Sequence, residues 1–392
     1  MRAGIVSLVL AYVLSQFYRA FLAVLAPALE ADIGATPEDL ANASGMWFLI
    51  FAAMQIPVGA ALDRVGPRLT ASVIFAAGGA GGAAVFAMAT TPDQMTLAMA
   101  LIGIGCSPVL MAAYFIFARV YPAAVFATLA GATIGFGSFG NIFSSAPLAW
   151  AVETFGWRET LWGVAGLTLV VAAMVWVTVR NPERVISEQR GSVLTLLATP
   201  ALWPIFIMML VNYAPAAGIR GAWAGPYLKE VYAADASTIG NITLVMGLAM
   251  IAGNFAYGPM DRLLGTRKWV IFGGNLLGAM ALFALFTMPD RGLWTSAALL
   301  ACVGFAGSSF PMIVAHAKAF FPPHLTGRGV TLVNLFGIGG VGAMQFVTRP
   351  VYATAKETAT TAADAYQALF LFFGLLLLAG LSVYLFARDR TD

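Results

Sequence analysis

Two arginines lie inside long apolar stretches of this chain, where a permanent positive charge is costly. Arg19 occurs within SQFYRAFLAV, in an apolar run over residues 5–29, and Arg220 occurs within VNYAPAAGIRGAW. An arginine at the centre of a membrane helix costs roughly 2.5–3.5 kcal/mol on insertion scales. Its planar fork of N–H donors suits carboxylate and phosphate groups. The chemistry that these residues predict is therefore the binding of an anion.

Further polar side chains accompany each arginine. A tyrosine precedes each arginine by seven residues, which is two helical turns, so each pair is expected to share one helix face. That face should line a cavity, because lipid penalises exposed polar groups. The side chains predicted to bind the substrate are Arg19, Tyr12 and Gln16 in the first apolar stretch, Arg220, Tyr213 and Asn212 in the seventh, Tyr114 in the fourth and Asn334 in the eleventh, with Ser15, Asn141, Ser308, Ser309 and Gln345 as secondary candidates.

The apolar stretches contain no evident acidic partner for the two arginines. All eighteen Asp and Glu residues fall in loops or near predicted helix ends. We therefore expect the counter-ion to be the substrate, a small organic anion that Arg19 and Arg220 hold between them. The alternative is that one or both arginines lie at the outer rim of the membrane, where the guanidinium reaches the headgroup region.

The same lack of interior carboxylates bears on energy coupling. A proton-driven symporter usually needs a protonatable group within the membrane, so antiport by exchange, or uniport, is favoured over symport. Otherwise the proton is carried by the substrate or by His316, in the stretch PMIVAHAKAFF, because histidine titrates near physiological pH. The alternative is a histidine that only makes hydrogen bonds near the membrane rim.

The composition indicates what kind of fold must position these residues. The chain has 392 residues, of which 60% are hydrophobic and only 10% are charged, whereas soluble proteins carry about 25% charged residues. Apolar stretches of about 20 residues recur, and each can cross a hydrocarbon core of roughly 30 Å. We predict an all-α membrane protein whose two cysteines are packing residues. No catalytic triad, phosphate loop or metal-ligand cluster is evident, so no enzyme, cofactor or metal is expected.

Twelve transmembrane helices are predicted, in two halves of six. The spans lie near residues 5–29, 40–62, 69–90, 95–118, 125–150, 159–179, 201–223, 236–258, 268–288, 293–317, 328–351 and 364–387. The longest connection on the Lys- and Arg-rich side divides the chain into residues 1–180, a linker over residues 181–200, and residues 201–392. Because Lys and Arg accumulate in cytoplasmic loops, both termini and the linker are expected to be cytoplasmic.

The two halves contain matching segments. PALEADIG at residues 27–34 corresponds to PYLKEVYA at 226–233, and GAALDRVGPR at 59–68 corresponds to YGPMDRLLGTRK at 257–268. A duplicated six-helix unit is how many transporters are built, with the substrate site between the repeats near the membrane midplane.

These loops resemble the loop between helices 2 and 3 of the major facilitator superfamily, which reads G-x-x-x-D-R-x-G-R-R. Pro67 replaces one arginine of that pattern, and the second half carries a degraded copy of it. The resemblance implies alternating access by rocking of the two halves, with a charge network that latches the cytoplasmic side. The residues predicted to take part in this gating are Asp63, Arg64 and Arg68 in the first half and Asp261 and Arg262 in the second.

The sequence as a whole therefore predicts a monomeric secondary transporter of the cytoplasmic membrane that carries a small organic anion and binds no nucleic acid. Within the superfamily, paired arginines on helices 1 and 7 are similar to the arrangement in organophosphate/phosphate exchangers, and a single arginine on helix 1 is similar to that in carboxylate-transporting anion symporters. The alternative is an efflux pump for amphipathic or neutral compounds, in which the arginines serve structure. A sensor or assembly factor on a transporter fold is a third interpretation.

Overall fold

The structure, a computed structural model, describes residues 2–121, 123–182, 193–322 and 325–390, all of which are helical or connect helices. The side chains of a few residues within these ranges, among them Asp63 and Arg262, lie outside the description. The chain divides into two compact units, Met1–Val185 with Asp235–Leu244, and Ile186–Ala234 with Val245–Asp392. The all-α membrane fold predicted from the sequence is confirmed.

The described part of the first unit contains ten α-helices. They are α1 (Arg2–Phe17), α2 (Leu22–Ile33), α3 (Pro37–Ala53), α4 (Gln55–Arg64), α5 (Pro67–Ile74), α6 (Gly81–Ala87), α7 (Pro92–Val120), α8 (Ala123–Phe143), α9 (Ala146–Phe155) and α10 (Trp157–Thr178), with a π-helical turn over Phe75–Ala80 between α5 and α6. Local sequence explains several starts. Thr36 and Asp39 cap each other reciprocally at the beginning of α3, which satisfies backbone donors that a helix start leaves free.

The first predicted span is broken rather than continuous. The axes of α1 and α2 differ by 51°, and the break lies between Phe17 and Leu22, around Arg19. Across it the Arg19 N–H donates to the carbonyl of Gln16 at 3.3 Å, three residues back instead of four. A break in a helix leaves backbone polar groups without intrahelical partners, and membrane proteins tolerate this only inside protein or beside a cavity.

Glycines bring the third and fourth spans of the first unit into backbone contact. A Cβ atom added at Gly78, in the π-helical turn, would lie 2.5 Å from the backbone nitrogen of Gly105 in α7. A Cβ atom at Gly105 would lie 2.0 Å from the backbone nitrogen of Gly79. Small residues permit this approach between helices that lipid surrounds, where close packing is a main source of association.

The described part of the second unit contains the other ten α-helices, and the first residues of α15 belong to the first unit. They are α11 (Val193–Leu197), α12 (Trp203–Asn212), α13 (Ala214–Gly218), α14 (Ala224–Tyr232), α15 (Ala236–Leu264), α16 (Lys268–Thr287), α17 (Leu293–Gly307), α18 (Phe310–Lys318), α19 (Thr326–Thr358) and α20 (Ala362–Tyr384), with a 3₁₀ turn over Pro200–Leu202 and a π-helical turn over Ile219–Trp223. The seventh predicted span is therefore irregular at Tyr213 and again at Arg220.

Within the described residues, ten helical stretches are long and apolar enough to cross a membrane, and the bent pair α1–α2 would be an eleventh. The fifth predicted span falls on α8 and α9, where the side chains of residues 122–128 lie outside the description. The seventh span is longer than predicted, since it continues to Tyr232 instead of ending near residue 223. Twelve spans therefore remain consistent with the helices observed.

Candidate functional site

Arg19 lies at the break between α1 and α2 and is half-buried. Its guanidinium lies over two aromatic rings of α3, with Cζ 5.2 Å from the centroid of Trp47 and 5.1 Å from that of Phe51. These two rings stack on each other at 5.0 Å and 19°. Contacts between a guanidinium and ring faces contribute about 0.5–2 kcal/mol each, more where water is excluded. The aromatic pair therefore holds the Arg19 side chain in place.

Several buried polar atoms around Arg19 have no hydrogen-bond partner in the described protein. They are Nε of Arg19, Oε1 of Gln16 and the indole Nε1 of Trp47. Most buried polar atoms in folded proteins are satisfied, and each unsatisfied one costs roughly 1–3 kcal/mol. This part of the first unit thus contains unused donors and acceptors around one cation, which a polar ligand could satisfy.

The two predicted tyrosines of the first unit lie near each other. Tyr12 is buried, and its ring packs so closely on α8 that a Cβ atom at Gly137 would lie 2.4 Å from it. Tyr114 in α7 is half-buried and close enough to Tyr12 for an electrostatic interaction between the two side chains. The structure therefore brings Tyr12 and Tyr114, predicted from separate spans, into one neighbourhood.

Arg220 is almost completely buried, with 2% of its surface exposed. It lies in the π-helical turn Ile219–Trp223, and its guanidinium packs against α15 at Gly247. A Cβ atom at Gly247 would lie 3.2 Å from Nη2 of Arg220 and 3.5 Å from Nε. The absence of a side chain at Gly247 thus provides the space that the guanidinium occupies.

The π-helical turn that carries Arg220 is anchored to α19. The indole N–H of Trp223 donates to Oε1 of Gln345 at 3.0 Å and to Oγ1 of Thr348 at 3.1 Å. Nε2 of Gln345 donates to the carbonyl of Gly218 at 2.9 Å. Single π-turns are rare and occur frequently at functional sites. Here the turn, together with the three buried hydrogen bonds of Trp223 and Gln345, fixes the orientation of the Arg220 side chain.

The neighbouring predicted residues of the seventh span have different surroundings. Tyr213 lies where α12 meets α13, with its ring 5.5 Å from that of Phe310. Asn212 is 1% exposed, and its Nδ2 donates to Oδ1 of Asn275 at 2.7 Å and to Oγ of Ser309 at 2.9 Å. Its Oδ1 is buried without a partner in the described protein. The amide donors of Asn212 are thus used in contacts between helices.

The expected common face of each tyrosine and arginine needs correction. Seven residues correspond to two turns only in an uninterrupted helix. The chain is broken between Tyr12 and Arg19 at residues 18–21, and between Tyr213 and Arg220 it contains both a bend and part of a π-helical turn. Each interruption rotates the following residues about the helix axis. The spacing of seven residues therefore does not determine which way the arginines point.

Glu230 is a carboxylate near the end of a span that bonds to two tyrosines of other helices. Glu230 falls in the last turns of the seventh span, because that span extends to Tyr232. Its Oε2 accepts hydrogen bonds from the hydroxyls of Tyr352 at 2.7 Å and Tyr366 at 2.9 Å. The sequence prediction, which ends this span near residue 223, places Glu230 in a loop. The structure instead makes it the acceptor at a junction of α14, α19 and α20.

His316 is fully buried and hydrogen-bonded through both ring nitrogens. Nε2 lies 2.9 Å from the carbonyl of Arg388, and Nδ1 lies 2.6 Å from the hydroxyl of Tyr384. A carbonyl can only accept, so Nε2 carries a proton and donates to the carbonyl of Arg388. This is the arrangement expected of a structural histidine that holds the C-terminal segment.

Two of the predicted gating residues, Arg68 and Asp261, make contacts within their own units. Nε of Arg68 donates to the carbonyl of Trp176 at 2.7 Å, and Arg64 is exposed. Asp261 pairs with Arg267 at 3.0 Å. The side chains of Asp63 and Arg262 lie outside the described residues.

Asn334, in α19, is half-buried. Its side chain makes no hydrogen bond with the described part of the chain.

Trp47 and Phe51 were not identified from the sequence, although both occur four residues apart in the second span. Only their contact with Arg19 distinguishes them from ordinary apolar residues. Gly247 and Thr348 carried no sequence signal either.

Comparison with known proteins identifies the family. The sequence model of the Major Facilitator Superfamily matches residues 8–219 and again residues 205–392. The chain belongs to the major facilitator superfamily. A search of curated proteins gives no match. As a member of this superfamily, the protein is a multi-pass membrane transporter.

Several solved structures have the same fold as this chain at low sequence identity. The D-xylose-proton symporter matches with a TM-score of 0.80 at 15% identity, covering 98% of both chains. A bacterial homolog of the human lysosomal transporter Spinster, inward-facing and occupied, gives a TM-score of 0.74 at 17% identity, covering 98% of this chain and 96% of its own. The nucleoside transporter NupG gives 0.73 at 14% identity, covering 97% and 99%.

Proposed function

We propose that this protein is a secondary transporter for a small organic anion and that Arg19 and Arg220 bind that anion. The observation that carries the proposal is the state of Arg19. Its guanidinium is held by two aromatic rings, its Nε is buried without a hydrogen-bond partner, and it forms no ion pair with a described carboxylate. A cation in such surroundings is costly unless an anion compensates it, and a bound carboxylate or phosphate would do so.

Arg220 supports the same substrate class from the second unit. It is buried in a π-helical turn that Gln345 anchors through the Trp223 indole within the turn and the Gly218 carbonyl just before it. An arginine oriented by a rigid local structure loses little entropy when it binds a planar anion. Two preorganised arginines favour a carboxylate or phosphate over an unspecific apolar substrate.

A second candidate function is transport of neutral or amphipathic compounds, including efflux of drugs. The observation in its favour is that Arg19 stacks on Trp47 and Phe51, so part of its charge is already accommodated by ring faces. The relatives named above include a D-xylose symporter and a nucleoside transporter, whose substrates are polar. In this case the arginines would orient helices, and their replacement would affect folding more than substrate affinity.

The experiment is binding and flux of paired substrates. Purified protein is screened by thermal shift against carboxylates and phosphate esters, with the amide or alcohol of each anion as its neutral counterpart. Stabilising anions are then tested for uptake in proteoliposomes. We expect anions to stabilise the wild type and their neutral counterparts not to, and we expect Arg19→Gln and Arg220→Gln each to weaken binding by ten-fold or more, since a charge-assisted bond contributes about 1.5–3 kcal/mol.

Arg291→Gln is the matched control, because Arg291 is an exposed arginine outside both sites. It should leave anion binding at the wild-type level. Stabilisation by neutral or lipophilic compounds alone, with anions inactive, would reject the proposal in favour of the second candidate.

The remaining sequence predictions enter the proposal unchanged. Residues 1–180 and 201–392 act as the two halves joined by the linker 181–200, both termini are cytoplasmic, and transport proceeds as antiport or uniport. Gating uses the charges of Asp63, Arg64, Arg68, Asp261 and Arg262. The pairing of Asp261 with Arg267 supports an ordered charge cluster at the second copy of the loop.

A further inference from the structure

The outer face of the first unit carries an open apolar groove between the third and sixth spans. Its volume is about 520 Å³, which is within the range of small-molecule sites. It is lined by the two alanine pairs Ala76–Ala77 and Ala172–Ala173, with Ser72 and Trp176 at one end. Ala77, Ala173 and Trp176 are exposed, so the groove is accessible from outside the unit.

An apolar groove between two membrane-spanning helices must be filled by hydrocarbon or by protein. The small side chains of the four alanines form the floor of the groove. Its wall offers almost no polar atoms to which water could hydrogen-bond. Since it lies between two helices that each span the membrane, an acyl chain is the occupant with matching chemistry.

A positive charge is held at the end of the groove that Trp176 lines. The guanidinium of Arg68 lies over the Trp176 ring, with Cζ 5.3 Å from its centroid, and Nε donates to the Trp176 carbonyl at 2.7 Å. Ser72, one turn further along α5, donates its hydroxyl to the carbonyl of Arg68 at 2.7 Å. The terminal nitrogens of Arg68 make no hydrogen bond with the described residues and remain available to a ligand.

A second arginine, Arg180, is close to Arg68 along the backbone. Oδ1 of Asn181 accepts from the backbone N–H of Arg68 at 3.0 Å, so the backbone of the preceding residue, the exposed Arg180, is near Arg68. Two arginines at the mouth of an apolar groove complement an anionic headgroup attached to an acyl chain. Basic pockets between transmembrane helices bind anionic lipid headgroups in this way.

We propose that this groove is a binding site for an anionic phospholipid. One acyl chain lies along the alanines between α5 and α10, and the phosphate binds Arg68 and Arg180. The site is separate from Arg19 and its aromatic pair, so the inference does not depend on which substrate is transported.

The test compares lipid retention by native mass spectrometry of the full-length protein. The probes are phosphatidylglycerol and phosphatidylcholine with identical acyl chains, so that only headgroup charge differs. We expect phosphatidylglycerol to be retained about tenfold more strongly, and Arg68→Gln to remove most of that preference. Ala173→Trp, which fills the groove and keeps both arginines, should lower retention of the bound lipid whatever its headgroup.

Matched controls separate these effects from a general loss of charge or of surface area. Arg291→Gln removes an exposed arginine of the second unit, and Ala298→Trp adds the same bulk to an exposed alanine of α17. Both should retain phosphatidylglycerol as the wild type does. Equal retention of the two lipids, or loss of lipid in Ala298→Trp to the same extent as in Ala173→Trp, overturns the proposal. A dimer without bound lipid, dissociated by Ala173→Trp, would instead assign the groove to a second copy of the chain.

Discussion

The guanidinium of Arg220 packs directly against the backbone of Gly247, which lies in α15 of the same unit. A Cβ atom at Gly247 would lie 3.2 Å from Nη2 of Arg220 and 3.6 Å from Cζ. The first distance is shorter than an ordinary van der Waals contact, so a side chain there would displace the end of the arginine. A substitution at Gly247 can therefore displace the Arg220 guanidinium while Arg220 itself is kept.

Gly247→Val is expected to lower anion affinity strongly while the protein still folds, since the clash falls on the flexible end of a side chain. Gly247→Ala should have a smaller effect, because a single methyl group requires a shift of only a few tenths of an ångström. Thermal shift with the stabilising anion measures both. Gly258→Val is the control on the same helix, because a Cβ atom at Gly258 meets nothing within 4 Å. An equal loss of affinity in the control would show that the helix, and not Arg220, is responsible.

The aromatic pair under Arg19 provides a second prediction. Trp47→Leu keeps apolar bulk but removes the ring face 5.2 Å from Cζ. We expect a loss of about 0.5–2 kcal/mol in anion binding, since the guanidinium is no longer held in one orientation. Isothermal titration with wild type and variant measures the difference. Trp47→Phe keeps a ring face but removes the indole N–H, and its anion affinity should lie between those of the wild type and Trp47→Leu. A loss of affinity as large as that of Trp47→Leu would show that the indole N–H, and not the ring face, is responsible.

The bonds of Glu230 predict an order of stabilities. Glu230→Gln should destabilise the protein by about 1.5–3 kcal/mol, because two hydroxyls lose a charged acceptor. Tyr352→Phe and Tyr366→Phe should each cost about 0.5–1.5 kcal/mol, since each removes one hydrogen bond to Glu230 and leaves the carboxylate with the other. Denaturant unfolding in detergent gives the three values. Identical stability of Glu230→Gln and wild type would show that the carboxylate contributes nothing beyond its shape.

The C-terminal segment supplies a prediction of pH dependence. Burial tends to raise the pKa of the Asp389 carboxyl, but hydrogen bonds from Thr266 and from the backbone N–H groups of Lys268 and Arg267 outweigh burial and lower it. A lowered pKa in the folded state means that the stabilisation is present above the unfolded value, about 3.9, and is lost as pH falls through the folded value.

Asp389→Asn should therefore lower the melting temperature at neutral pH, and the difference from wild type should shrink as pH falls below about 4. Glu357→Gln is the control, because Glu357 is an exposed acid of the same unit with no bond to described residues. A difference that stays constant from pH 7 to pH 3 would show that charge on Asp389 does not stabilise the C-terminal segment.

Several features of this protein follow from its sequence by itself. Apolar stretches of membrane length, interrupted by charged loops, predict the helical membrane class, because only such helices satisfy their backbone within lipid. The repeated Asp-Arg loops at Asp63 and Asp261 predict the superfamily that the sequence model confirms. The unusual chemistry of Arg19 and Arg220 also follows from the sequence, since a cation is conspicuous in an apolar run whatever the neighbours.

Only the tertiary structure decided what surrounds those cations. The contact of Arg19 with Trp47 joins residues 28 positions apart, and that of Arg220 with Gly247 joins residues 27 positions apart. Neither pairing follows from helical periodicity. The breaks at residues 18–21 and 219–223 change the direction of each arginine, and the packing of several helices at once determines where a break occurs. A hydrophobic pattern records which residues avoid water, whereas the partner of each residue depends on the packing of the whole unit.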